Sequence, residues 1–261
     1  MYNLRSEEPG SEYMKIFLFI RSLAFYVSLA ASLIVMTVVL IATMPFADIE
    51  WRYNSVCRRW ARYILWSLKF FCGVTLRNEG MENMPKDEPV VVLCKHQSAW
   101  DPFWLGAYLE RPACFLYKRS LHLIPFLGWA LWSMDMLAVD RQNGRSAFED
   151  FMQKGPKFIK KGWWICLFPE GTRVPIGHRV KYKTGGARFA CSQSIPVLPI
   201  AHNAGVVWPK NSFIKYPGEV IVRVGPVIET AGRDPRDVTE DASEWIEAQV
   251  EQMCGPAAKA E

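Results

Sequence analysis

Two short polar segments, each directly after an apolar run, hold the residues best suited to chemistry. Val90–Cys94 leads into His96 and Asp101, and Trp163–Leu167 leads into the segment Phe168–Arg173. Apolar runs bounded by turn signals are typical of strands covered on both faces. The carboxyl ends of such strands form the crevice where α/β proteins bind ligands. The segments together supply a base, a carboxylate and a cation, which suits deprotonation of a hydroxyl on an anionic substrate.

The first polar segment supplies the base. Histidine suits this role because its usual pKa lies near neutrality. Asp101, near the start of the following helix, would accept a hydrogen bond from the other ring nitrogen of His96 and stabilise the imidazolium. The alternative is structural, with His96 capping a turn and Asp101 capping a helix. The second polar segment favours the catalytic interpretation.

The second polar segment supplies the cation. Gly171 permits a tight turn, and Arg173 can hold a phosphate through two parallel hydrogen bonds, which lysine cannot do. The alternative for Arg173 is a surface salt bridge. Glu170, Gly171 and Thr172 are predicted either to contact the substrate or to brace the loop.

The pattern His96-x-x-x-x-Asp101, followed about seventy residues later by Phe168–Arg173, resembles the glycerolipid acyltransferase family. Lys118 to Arg141 resembles the family's second sequence block, and Ile195–Ile200 resembles the fourth. His202–Gly205 continues the bacterial version. The resemblance covers the chain from about Val90 to Ile200.

The resemblance implies transfer of a fatty acyl group from acyl-CoA or acyl carrier protein to the sn-2 hydroxyl of lysophosphatidate (1-acyl-sn-glycerol-3-phosphate). The product would be phosphatidate, and no cofactor beyond the thioester co-substrate is implied. His96 and Asp101 would be the general base pair, and Arg173 would bind the phosphate. Lys118 and Lys183 occupy places where they would add charge around the phosphate, although each is alternatively a solvated surface cation.

The chain departs from the family pattern at a few positions, namely Lys95, Ser120, Met134 and Asp135. The last three lie in the block that helps to shape the acceptor pocket. Two alternative functions therefore stay open. One is the same transfer to a lyso-ornithine lipid or another lysophospholipid, and the other is a non-catalytic lipid-binding protein on the membrane surface.

Cys94 is the alternative nucleophile. It lies two positions before His96, so both side chains would leave a strand on the same face. A free cysteine in an apolar run more often packs in the core. We therefore expect direct transfer without an acyl-enzyme.

Composition points to a membrane surface. The 261 residues are half apolar, carry a formal net charge of +5 and include eleven tryptophans. No nucleic-acid-binding motif accompanies the charge, whereas amphipathic aromatic rings collect at membrane interfaces. The seven cysteines form no C-x-x-C pair, which argues against a disulfide framework and a zinc site and fits a reducing compartment. We expect no metal and no nucleic-acid partner.

Three regions are predicted: a disordered leader over 1–13, membrane-anchoring helices over 14–73, and a catalytic domain over 74–261. Ser22 to Ala47 holds no charged residue, and about 20 such residues suffice to cross a bilayer. Trp51–Phe71 interleaves cations with aromatic rings, as interfacial helices do.

The anchor's topology has three interpretations: a spanning helix, a cleaved signal peptide, or two helices that enter one leaflet and return. Full spanning would separate the catalytic domain from cytoplasmic acyl donors. We therefore favour the returning pair, at the bacterial inner membrane, with the catalytic domain on the cytoplasmic face.

The fold class expected is α/β, with a mixed, largely parallel sheet flanked by helices and preceded by the two-helix segment. Helices should begin near Asp101, Arg145, Thr184 and Asp241, and the tail after Cys254 should be loose. The expected strands are Val90–Cys94, Ala113–Tyr117, Met136–Val139, Trp164–Phe168, Ile195–Ile200 and Val220–Val224.

Overall fold

The computed structural model of the chain describes residues 12–139 and 144–255. The expected leader lies outside these residues except for Glu12 and Tyr13, where the first helix begins, and the tail beyond Gly255 also lies outside. The α-helices are α1 Glu12–Thr43, α2 Ile49–Arg52, α3 Arg58–Cys72, α4 Asp101–Tyr108, α5 Leu127–Ser133, α6 Gly144–Lys154, α7 Pro156–Lys160, α8 Gly185–Gln193 and α9 Pro235–Cys254. The strands are β1 Val74–Glu79, β2 Val91–Cys94, β3 Ala113–Lys118, β4 Leu137–Val139, β5 Trp164–Leu167, β6 Val197–His202 and β7 Gly218–Val224.

The described strands form one seven-stranded sheet in the order β1-β7-β6-β2-β5-β3-β4. Every neighbouring pair is parallel except β6 and β7, which run antiparallel. All residues of β2 and β6 are buried, as expected for central strands with helices on both faces. The expectation of a mixed, largely parallel α/β sheet is therefore confirmed.

The sequence missed one strand and misplaced one helix start. Strand β1 was not predicted because only Val74 in it is buried; as an edge strand paired with β7 alone, it lacks the apolar run that identified the central strands. Helix α9 begins six residues before the expected Asp241, because Asp234 caps it by accepting a hydrogen bond from the Arg236 amide at 2.7 Å. The short helices α5 and α7 were also not predicted.

The two-helix segment is an antiparallel hairpin. Helix α1 has 32 residues, and α2 continues through a π-helical turn, Tyr53–Cys57, into α3. Ser28 pairs with Tyr63, Trp60 donates to Ser32, and Arg21 donates to the Phe71 carbonyl. Partner numbers rise along one helix as they fall along the other, so the chain returns to the end where α1 began.

The hairpin is also part of the folded core. Phe25 and Leu40 of α1, and Ile64 and Leu68 of α3, are almost completely buried in the main hydrophobic cluster. The outer side differs, because α1 is the one helix among the described residues long and apolar enough to cross a membrane, and most of it is not buried. Helix α1 therefore has one face packed on the domain and another without a covering.

Candidate active site

Three parallel strands end side by side at the site. Strands β5 and β6 flank β2, so their carboxyl ends lie at the same edge of the sheet. The first polar segment follows β2 and the second follows β5. The Lys95 amide still pairs with the Ile200 carbonyl at 2.9 Å, so His96 is the first residue to leave the sheet.

His96 and Asp101 form the expected pair. The His96 Nδ1 lies 2.8 Å from Asp101 Oδ2. The same carboxylate oxygen accepts hydrogen bonds from the Gln97 and Ser98 amides at 3.0 and 3.1 Å. A carboxylate with these donors acts as acceptor toward His96, so Nδ1 donates and Nε2 keeps its lone pair. The pair has the geometry of a general base with its orienting carboxylate.

The second polar segment and Val174, the residue after it, bond to the two backbone groups of His96. The His96 amide donates to Glu170 Oε1 at 3.2 Å, and the His96 carbonyl accepts from the Val174 amide at 2.7 Å. The Phe168 ring stacks on the imidazole with 3.9 Å between the ring centroids. Residues some seventy positions apart therefore form one unit, and Arg173 directly precedes Val174, the residue that bonds to the His96 carbonyl.

Glu170 is buried in a charged cluster below His96. Lys95 Nζ lies 3.2 Å from Glu170 Oε1 and 2.5 Å from Glu247 Oε1 on α9, and Tyr182 donates to that same Glu247 oxygen at 2.8 Å. Burial raises the pKa of Glu170 to about 7, against the lowering effect of Lys95 and of the His96 amide. Of these residues, the sequence identified Glu170 as a candidate and Lys95 only as a departure.

Two of the three cationic candidates, Arg173 and Lys183, lie at the turn of the second polar segment. The backbone of Gly171 has a φ of 72°, and a Cβ there would lie 2.7 Å from Lys183 Nζ, so the Lys183 side chain crosses the turn. Lys183 also bonds through its amide to the Pro169 carbonyl at 2.9 Å. Among the described residues no hydrogen bond or ion pair holds the Arg173 guanidinium, and Thr172 is exposed. These residues line one turn.

Lys118 is separate from this turn. It is the last residue of β3 and is exposed, and β3 is separated from β2 by β5. The parallel arrangement puts it at the same sheet edge, but no described contact links it to His96 or to the second polar segment. Lys118 begins the second sequence block of the family resemblance; the last two residues of that block, Asp140 and Arg141, lie outside the described residues.

His202, which the sequence left unassigned, lies next to Asp101 of the His96–Asp101 pair. Its Nδ1 accepts from the Ala204 amide at 3.2 Å, so Nε2 carries the hydrogen and donates to the Lys95 carbonyl at 2.8 Å. Nε2 is also 3.4 Å from Asp101 Oδ1. Burial lowers the pKa of His202, which keeps this imidazole neutral. Its place at the end of an apolar strand was the signal that would have identified it.

The Cys94 thiol is enclosed by the protein rather than exposed at the site. The thiol is buried, donates to the Lys95 carbonyl at 3.3 Å, and has a pKa raised well above its usual value by burial. A thiolate is the nucleophilic form, so this environment disfavours attack by Cys94. Among the described residues, no three or more His, Cys, Asp and Glu side chains form a group that could hold a metal ion.

The fold and the site together define an acyltransferase, and the chain belongs to the acyltransferase family, whose sequence model matches residues 75–203. A 1-acyl-sn-glycerol-3-phosphate acyltransferase of Pseudomonas aeruginosa is 38% identical over 230 residues, which is 87% of this chain and 89% of the relative. A chloroplast 1-acyl-sn-glycerol-3-phosphate acyltransferase of Brassica napus is 30% identical, over 74% of this chain and 56% of its own length.

A solved structure shares the fold. The 1-acyl-sn-glycerophosphate acyltransferase PlsC from Thermotoga maritima superposes with a TM-score of 0.77 and covers 94% of this chain and 99% of its own, at 24% identity. The overlap extends well beyond the matched family region and therefore includes most of the N-terminal helices. The family resemblance stated from the sequence is confirmed.

Proposed function

We propose that this acyltransferase moves a fatty acyl group from a thioester to the sn-2 hydroxyl of 1-acyl-sn-glycerol-3-phosphate, which yields phosphatidate. The observation that carries the proposal is the contact between the two polar segments: the backbone and ring of His96 bond to and stack on residues of the second segment and Val174. A base and a cation held by one backbone unit suit an acceptor with a hydroxyl close to a phosphate. The names of the two curated relatives favour the same acceptor.

In the proposed mechanism His96 Nε2 takes the proton of the sn-2 hydroxyl as its oxygen attacks the thioester carbonyl carbon. Asp101 holds the ring and stabilises the imidazolium through the 2.8 Å contact with Nδ1. The tetrahedral intermediate then collapses, the carbon–sulfur bond breaks, and the imidazolium returns its proton to the leaving thiolate. The acyl group passes straight to the alcohol, in keeping with the buried thiol of Cys94.

The phosphate would bind at the turn of the second polar segment. Arg173 offers two parallel donors to phosphate oxygens, and Lys183 adds a charge from across Gly171. Lys118 would act from farther along the sheet edge. Glu170 points away from this turn into the buried cluster, so of its two predicted roles the geometry favours bracing the loop.

The hairpin would attach the enzyme to one leaflet of the membrane. Its two helices run antiparallel, so neither end of the hairpin needs to leave the side that holds the catalytic domain. Helices α1 and α3 also line an open apolar groove of about 1040 Å³, with Arg59 among its lining residues. Apolar surface flanked by cations suits an interfacial anchor. We place the catalytic domain on the cytoplasmic face, where acyl-CoA and acyl carrier protein are found.

A mass-spectrometric transfer assay would test the proposal. The purified full chain would be incubated with acyl-CoA or acyl carrier protein and each of three acceptors: lysophosphatidate, a lysophospholipid with a larger head group, and a lyso-ornithine lipid. We expect lysophosphatidate to be acylated faster than the other two acceptors. We expect no phosphatidate to form with the His96→Ala variant. Faster acylation of either other acceptor would overturn the assigned substrate. Absence of transfer from both donors to all acceptors would favour a non-catalytic lipid-binding role.

A further inference from the structure

The charged cluster under the active site is larger than the mechanism needs. Lys95 and Glu170 are almost completely buried, and Glu247, on a helix near the carboxyl end of the chain, is also buried. Buried charges are costly unless they are paired. Such a cluster needs a reason to lie directly beneath the residue that we propose as the base.

One ammonium serves two carboxylates in this cluster. Lys95 Nζ contacts Oε1 of both Glu247, at 2.5 Å, and Glu170, at 3.2 Å. Arg179 balances the remaining charge, because its Nε lies 3.5 Å from Glu247 Oε2. The closer contact goes to Glu247, so the two carboxylates compete for Lys95.

The cluster reaches the base through Glu170. The oxygen that faces Lys95 also accepts the hydrogen bond from the His96 amide at 3.2 Å. Lys95 precedes His96 directly in the chain, so its side chain and the next residue's amide meet the same carboxylate. Any loss of charge on Glu170 would weaken the contact that fixes the backbone of His96, since hydrogen bonds to ionised acceptors are the stronger ones.

We propose that Lys95 and Glu247 are positioning residues that together set how firmly the Glu170 carboxylate holds the backbone of His96. The inference rests on the proposed role of His96 as the base. Helix α9 thereby takes part in the active site although it touches none of the reacting atoms.

The groups that face Glu170 determine its protonation. Tyr182 and Cys94 stay neutral because burial raises the pKa of each. The ionisable groups around the carboxylate, from every element packed against it, are Cys94, Lys95 and His96 at the end of β2, Tyr182 and Lys183 before α8, and Glu247 on α9 with Arg179 beyond it. Lys95 is the cation in direct contact.

The two positioning residues should shift the acidic limb of the pH–rate profile in opposite directions. Removing the Lys95 charge raises the pKa of Glu170, so the carboxylate forms only at higher pH. Removing the Glu247 charge leaves Lys95 to Glu170 alone, which lowers that pKa. Opposite charges at this distance commonly shift a carboxyl pKa by about 1–3 units. A purely structural role would lower activity at every pH without opposite shifts.

The test compares Lys95→Met and Glu247→Gln with Glu251→Gln in the full-length enzyme. Glu251 is a matched control, because it lies one turn along the same helix and pairs with Arg179 at 3.2 Å, but is half-exposed. Acceptor kcat/KM would be measured from pH 5 to 9. We expect the apparent pKa of the acidic limb to rise by about one unit in Lys95→Met and to fall by about half a unit in Glu247→Gln. It should stay unchanged in Glu251→Gln.

Shifts in the same direction, or none, would overturn the inference, even with reduced melting temperatures. Should Lys95→Met not fold, the downward shift in Glu247→Gln alone decides, and the double variant Lys95→Met/Glu247→Gln supplies a second, charge-balanced measurement. His96→Ala separates the two proposals. An active His96→Ala enzyme rejects the proposed base. An inactive one, with Glu247→Gln behaving like Glu251→Gln, rejects the positioning role alone.

Discussion

Charged side chains are buried at the sheet edge of the candidate active site, whereas apolar side chains are exposed on the outer face of α1. Both regions depart from the usual rule that charged residues are exposed and apolar residues are buried. At the sheet edge Asp101, Lys95 and Glu170 are almost completely buried; Lys95 pairs with Glu170, and Asp101 pairs with His96. On α1 the valines Val27 and Val35 are 62% and 63% exposed. Large exposed apolar surface marks a binding or membrane site. The two regions therefore differ in what surrounds them: the buried charges of the site are paired with protein groups, whereas the exposed apolar face of α1 is compatible with membrane association.

Lys215 joins the two regions. Its amide donates to Ser22 Oγ on α1 at 2.9 Å, and its ammonium donates to the Tyr26 hydroxyl at 2.8 Å, over the ring of Trp208 at 4.6 Å from the centroid. The Trp208 carbonyl in turn accepts from Ser98, within the first polar segment, at 2.8 Å. A short chain of contacts therefore runs from α1 to Ser98, whose amide donates to Asp101.

The largest expected effect lies at the sheet edge. Replacing His96 with Ala should reduce transfer by about 10²–10⁴-fold, the usual contribution of a positioned acid–base group. Asp101→Asn should cost less, because the ring nitrogen that accepts the proton remains. Initial rates on vesicles, with melting temperatures as the folding control, measure both. Retention of more than about a tenth of the activity in His96→Ala would show that His96 is not the base. The buried charges at the sheet edge would then not be explained by positioning it.

The next effect concerns the turn of the second polar segment, where we propose that the phosphate binds. Arg173→Lys keeps the charge but loses the two parallel donors, so the acceptor's KM should rise and kcat/KM should fall about ten- to a hundred-fold. The donor's KM should hardly change. Steady-state kinetics with each substrate varied separately decide. If the donor's KM rises while the acceptor's does not, Arg173 belongs to the thioester side of the site.

The sequence predicted the groups whose partners are close along the chain or lie at adjacent strand ends. His96 and Asp101 are five residues apart, and both polar segments follow apolar runs, so their meeting at one edge follows from parallel strands. Glu247 lies 152 positions from Lys95, and no local pattern selects it from the other acidic residues of α9. Its role depends on how the helix packs on β6, which is a property of the folded chain.

The two N-terminal helices were predicted in outline for a similar reason, whereas their anchoring role stays a prediction. Apolar length and interleaved cations are local features, and they identified the two helices. The docking of α1 through Lys215 was not predicted, because a lone lysine in a loop has no sequence signal that distinguishes it from a solvated one. The extent of α1 buried in the core is likewise decided by tertiary packing.

A charge on the outer face of α1 should weaken membrane attachment by at least about ten-fold. A charged side chain in the bilayer costs about 2.5–3.5 kcal/mol at the centre of a helix and less toward the interface. The double variant Val27→Glu/Val35→Glu tests this in vesicle flotation, with Val180→Glu, on an exposed loop residue far along the chain, as control. Equal flotation of the two variants would show that α1 does not face the lipid. The exposed apolar face of α1 would then need another explanation.

Loss of the link between the regions should have a smaller effect. Lys215→Met leaves the Tyr26 hydroxyl and the Ser212 and Phe213 carbonyls without their donor, which should lower the free energy of unfolding by about 1–3 kcal/mol. Lys210→Met, in the same loop, is the control. Burial lowers the pKa of Lys215 to about 8 from an unfolded value of 10.5. The unfolded chain therefore holds more protons over that interval, and native stability should rise with pH.

Denaturant unfolding at pH 8 and at pH 10 compares the native protein with Lys215→Met. The difference in unfolding free energy should widen with pH, since the variant lacks the titrating group. An unchanged difference would indicate that the Lys215 ammonium is solvated in the folded protein and does not join the regions as described.

The smallest expected effect is at Cys94, which lies on the border between the apolar interior and the charged edge. Cys94→Ala should keep activity within about two-fold, because a thiol whose pKa is raised by burial holds almost no thiolate. The variant leaves a small cavity and should unfold slightly more easily, by about 1 kcal/mol. Incubation of the native enzyme with labelled acyl donor, in the absence of acceptor, gives an independent measurement. Stoichiometric label on Cys94 would show that the acyl group passes through an acyl-enzyme on the buried thiol. His96 would then activate that thiol rather than the lipid hydroxyl.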